Sequence, residues 1–83
     1  MTRLLFYHQS GNIMELSING QAQHCNHQGF SPFTIEQLID EMALDPRRIA
    51  VEKDLEIIPK SQYDLTALSE GDTLEIIEFI GGG

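Results

Sequence analysis

Only one stretch of this chain carries the full signature of an α-helix; the rest reads as short strands and turns. Thr34 is a good N-cap, Gln37 three residues on completes a capping box, and Phe33 with Leu38 stands at the positions of a hydrophobic staple. Ile35, Leu38, Ile39 and Met42 fall at i, i+3, i+4 and i+7 and make one apolar face, while Glu36, Gln37, Asp40 and Glu41 fill the other. Asp45-Pro46 is the expected stop, because proline disfavours helical geometry in the residue before it. A lone helix with one apolar face has to bury it against a sheet. Its acidic side is most simply a solvated surface.

The flanking patterns supply that sheet. Leu16 and Ile18 alternate with Glu15 and Ser17, and Asn19-Gly20 is a strong two-residue hairpin signal, since both positions tolerate positive φ. A second strand over about 21–25 follows. With a two-residue turn, the face holding Met14, Leu16 and Ile18 also holds Cys25, Gln23 and Gln21; glutamines suit a core face poorly, which leaves register and turn length open. After the helix, 49–51 reads as a strand with Glu52-Lys53-Asp54 as its polar turn, and 55–58 as another strand stopped by Pro59. Residues 60–64 have no period and read as a loop or a single helical turn, with Leu65 and Leu68 as apolar anchors. Glu70-Gly71-Asp72 turns into a final strand whose Leu74 and Ile76 point to the core and whose Ile77 and Phe79 point to the opposite, open face. The order is α+β: a mixed sheet with one helix across it.

That final strand feeds through Ile80 into Gly81, Gly82 and Gly83. Glycine adds no buried area and costs the most backbone entropy when ordered, so packing gives no reason for such an ending. The expectation is a flexible tail over 81–83, thin enough to thread a narrow channel and tipped by a carboxyl group. The apolar residues just before it, Ile77, Phe79 and Ile80, are the expected docking patch for a partner. Residues 1–13 have no consistent period and read as a flexible extension, with the domain over 14–80; the rival reading makes 4–7 a strand.

Charge and composition narrow the partners. Thirteen acidic against five basic residues give a formal charge of −8, which argues against nucleic acid and for a basic partner surface. No apolar run approaches the ~18 residues of a membrane span, and the single Cys25 excludes an internal disulfide, so the chain reads as cytoplasmic. His24, Cys25 and His27 fall short of a structural zinc set, with His8 out in the extension, and nothing marks a base for Cys25 as nucleophile; no metal and no catalytic residue is expected.

Taken together, the hairpin at Ile18-Asn19-Gly20, the helix after Thr34, the segment Ile58-Pro59-Lys60-Ser61-Gln62-Tyr63, Gly71-Asp72 and the ending Phe79-Ile80-Gly81-Gly82-Gly83 resemble the ThiS family of ubiquitin-like sulfur carriers over 14–83. The resemblance implies a β-grasp fold, with four or five strands wrapping one helix. It also implies that the Gly83 carboxylate is adenylated by an ATP-dependent, ThiF-like enzyme and converted to a thiocarboxylate that donates sulfur to the thiazole of thiamine. The implied partners are that enzyme, a ThiG-like thiazole synthase and a sulfur source such as a cysteine desulfurase, with no permanently bound cofactor. The chain departs from the pattern at Glu52-Lys53-Asp54-Leu55, where many members have an Asn-Gly turn, at Lys60, where arginine is common, and in residues 1–13. Two alternatives stay open: a MoaD-like carrier for molybdopterin synthesis, whose endings usually carry proline before the last glycines, and a non-covalent β-grasp binding module.

Overall fold

The helix explains why an irregular stretch thirty residues away takes the path it does. In a computed structural model, which describes residues 13–27, 29 and 31–80, α1 spans Ile35–Glu41. Four donors at a helix start lack intrahelical partners. Here Thr34 N–H donates to Gln37 Oε1 at 2.9 Å and Gln37 N–H to Thr34 Oγ1 at 3.3 Å, the expected capping box. The amides of Ile35 and Glu36 reach the carbonyls of Thr66 and Tyr63, and Leu68 N–H returns to Phe33 O. The 60s segment therefore serves as the cap of α1, with a 3₁₀ turn over Lys60–Gln62 inside it.

The C-terminus of α1 differs from expectation. Asp45-Pro46 does not end the helix; a Schellman turn does so earlier, with Ala43 N–H on Asp40 O and Leu44 N–H on Ile39 O. Ala43 occupies the left-handed position at φ 59, where glycine is usual. Met42 becomes the C-cap and is more than a third exposed, so the buried stripe reduces to Ile35, Leu38 and Ile39. Asp45 instead caps a 3₁₀ turn over Pro46–Arg48.

Five strands form one mixed sheet: β1 (Ile13–Ile18), β2 (Gln21–Asn26), β3 (Ile49–Lys53), β4 (Glu56–Ile58) and β5 (Thr73–Glu78), in the spatial order β2-β1-β5-β3-β4. Among the described strands only β1 and β5 run parallel. The first hairpin keeps the two-residue register, Met14 opposite Cys25 and Ile18 opposite Gln21, with Asn19 and Gly20 at φ 53 and 81. Gln21 and Gln23 share the core-side face yet stay exposed, because β2 is an edge strand and Cys25 alone on it reaches the core. Ile13, placed in the extension from sequence, is the first residue of β1 and pairs with Asn26. Residues 1–12 lie outside the described residues.

Two further expectations are corrected. Glu52 and Lys53 belong to β3, and the turn is Asp54-Leu55, both at positive φ (52 and 70), a left-handed geometry that Asn-Gly would fit better than these two residues do. Leu65 is exposed, whereas Leu68 and the unforeseen Tyr63 are buried. The core joins Leu16, Ile18 and Cys25 of the hairpin to α1, to Ile49 and Val51, and to Leu74 and Ile76.

Candidate functional site

The site is the end of β5 and the sheet face it crosses. Leu74 and Ile76 are buried under α1, while Ile77 and Phe79 are 54% and 55% exposed, as the alternation of a strand requires. The ladder sets their neighbours: Ile77 lies opposite Ala50, Glu75 opposite Glu52, and Glu52 opposite Ile57 on β4, itself 69% exposed. Ile57, Ala50, Ile77 and Phe79 thus make an apolar strip on the face away from the helix, and nothing among the described residues covers it.

The chain leaves the sheet at a fixed point. Phe79 N–H donates to Arg48 O at 2.7 Å, one step beyond the β3–β5 ladder, and Ile80 beyond it is 96% exposed. Gly81, Gly82 and Gly83, the expected threading and loading residues, lie outside the described residues. A ladder on either side of β5 holds the strand that leads to them.

Asn19 contributes something its turn role did not suggest. Its Nδ2 donates to Ile76 O at 3.1 Å and its Oδ1 accepts from Ile76 N–H at 2.8 Å, while Asn19 N–H donates to Leu74 O. The side chain prolongs the β1–β5 ladder past the point where β1 turns away. Asparagine is common in such turns for its backbone alone, so the sequence carries no signal for this second task.

The His24, Cys25 and His27 group is not brought together. His24 faces the open side and contacts Glu15 at 3.2 Å, Cys25 faces the core, and the His27 ring lies tilted beside that of Phe33. Burial, reinforced by Glu41, pushes the Cys25 thiol up from its ordinary value, which makes it a weak nucleophile. Among the described residues no group of three or more His, Cys, Asp or Glu could hold a metal ion. On the helix side a groove is lined by Glu36, Asp40, Lys60 and Tyr63, with Lys60 Nζ tied to Ile49 O at 2.8 Å.

A family model described as the ThiS family matches residues 16–83, from the first hairpin through the three glycines. The chain belongs to the ThiS family. A crystal structure of the thiamine biosynthesis protein ThiS from Geobacter metallireducens superposes with a TM-score of 0.69 at 25% identity, covering 84% of this chain and 100% of that one. With it, the mixed five-strand sheet on one helix is a ubiquitin-like β-grasp fold. The sulfur carrier protein ThiS of Bacillus subtilis is 38% identical over 50 residues, 60% of this chain and 76% of that protein. A thiazole synthase of Paramagnetospirillum magneticum is 46% identical over 70 residues, and the chain spans only 20% of its length.

Proposed function

We propose that this ThiS-family chain is a sulfur carrier for thiamine biosynthesis, loaded at the Gly83 carboxyl group. The observation that carries the proposal is that the family match runs through residue 83, while the structure holds the strand leading there and leaves its open face apolar. A carboxylate resists substitution because its leaving group would be oxide. Adenylation by a ThiF-like enzyme at the expense of ATP supplies a better one: hydrosulfide attacks the acyl carbon, AMP departs, and a thiocarboxylate remains. The chain performs no acid–base step in this scheme; it presents the acyl group, with Gly81 and Gly82 as the part narrow enough to enter a partner's active site.

Docking through Ile77, Phe79 and Ile80 positions that tail. Thiazole synthase is the proposed acceptor, supported by the similarity of this chain to part of two proteins named thiazole synthase. A cysteine desulfurase is the proposed origin of the sulfur. Incubation with ATP, sulfide and the organism's own ThiF-like enzyme should add about 16 Da to the intact mass as sulfur replaces oxygen. Deletion of Gly83 should abolish the gain and Cys25→Ala should not. No gain at all leaves the non-covalent module as the reading; a gain lost in Cys25→Ala moves the chemistry to the thiol. Transfer from the loaded chain to thiazole synthase, rather than to a molybdopterin precursor, separates the thiamine role from the MoaD-like one.

A further inference from the structure

The apolar strip has a different charge at each end. At the tail end, the register places Arg48 beside Phe79, and among the described residues its guanidinium comes no nearer to a carboxylate than Asp45 Oδ2 at 3.9 Å, too long for a hydrogen bond. That carboxylate is already taken by Arg47, whose Nε and Nη2 sit at 3.1 and 3.0 Å. At the other end, Glu52 and Glu75 stand directly opposite each other across the β3–β5 ladder. Directly opposed like charges destabilise a sheet, and neither carboxylate has an ion-pair partner among the described residues. Lys53, the next residue along β3, is turned to Asp54 and Asp72 instead. Glu78 alternates with Phe79 and falls on the other face of the strand. Arg48, the residue just before β3, and Glu52 within it are four residues apart, about 13 Å at strand rise.

Hydrophobic contact has no direction of its own, so Ile57, Ile77 and Phe79 alone would let a partner seat on this face either way round. Only one of those orientations aims the tail at an active site. We infer that Arg48 and the Glu52/Glu75 pair fix the direction of docking: the adenylating partner offers a lysine or arginine to the two carboxylates, an apolar patch to the strip, and a carboxylate to Arg48 nearest the mouth that admits the tail. The pair of glutamates is the stronger half of this code. It costs the free chain stability, and a partner cation placed between the carboxylates removes the clash. The inference rests on the docking role of the strip, and its test separates the two.

The organism's ThiF-like enzyme serves as the probe, with binding followed by calorimetry and adenylation by pyrophosphate release at low and high salt. The Glu52→Gln/Glu75→Gln variant should melt higher than the parent and yet bind about fivefold more weakly at low salt, with a smaller dependence on salt. Arg48→Glu should weaken binding by about five- to tenfold while melting close to the parent, since the Phe79 bond uses its backbone. Ile77→Asp, on the open face, should fold and lose binding, whereas Ile76→Asp should unfold the domain as an unpaired charge in the core. Unchanged affinity and salt dependence in both charge variants, with binding lost in Ile77→Asp, overturns the directional code and leaves the docking strip standing. Unchanged binding in Ile77→Asp overturns both.

Discussion

Asn19 does two separable things, and a pair of substitutions divides them. Its backbone takes φ 53 for the hairpin turn, and its amide pairs with both backbone groups of Ile76. Asn19→Gly keeps the turn and loses the pairing, so we expect a cost of about 1–2 kcal/mol in denaturant melts, with Asn19→Ala costing more because it also meets the positive φ. If Asn19→Gly is neutral, the amide bonds contribute nothing net. The turn at Asn19-Gly20 was legible because two residue types announce it. The amide bonds were not, since they join positions 57 residues apart and no local pattern encodes such a contact. Leu55 is the reverse case: a leucine at φ 70 looks like the start of a strand, and its place in the turn is set by the register of β3 on β4.

Among the elements, α1 starts where its capping pattern places it and ends short of Asp45-Pro46. Capping side chains are specific, so Thr34 and Gln37 located the N-terminus; the Schellman turn is backbone chemistry on Ala43, a residue with no preference for it. Ala43→Gly should raise stability by about 1 kcal/mol in the same melts, by relieving the left-handed alanine. A drop would mean that the added freedom of the unfolded chain outweighs the relief. The face assignment of β5 was legible because alternation is strict, and with it the exposed pair Ile77 and Phe79. The 60s segment was opaque for the opposite reason: its role is to give carbonyls to α1, and carbonyls carry no residue signature.

At the scale of the whole molecule, three groups make the fold sensitive to alkali. Burial raises the Cys25 and Tyr63 values, and hydrogen bonding to Asp54 raises that of Lys53. Each folded-state value lies above the unfolded one, so the contribution is complete below the unfolded values and disappears as pH climbs through the folded ones. Melting temperature should hold level to about pH 8 and fall above about pH 9, with Cys25→Ala flattening the first part of the decline. A level profile to about pH 10.5 would contradict the burial assigned to Cys25 and Tyr63.

The parallel pairing of the first and last strands in the middle of the sheet has a mechanical meaning. A pull on the C-terminus runs along β5, which is hydrogen-bonded to β1 on one side and β3 on the other, so both ladders are loaded in shear and must yield together. An edge strand would peel off one bond at a time. Any partner that gripped the C-terminus would therefore pull against a stiff handle, one that resists until both ladders yield.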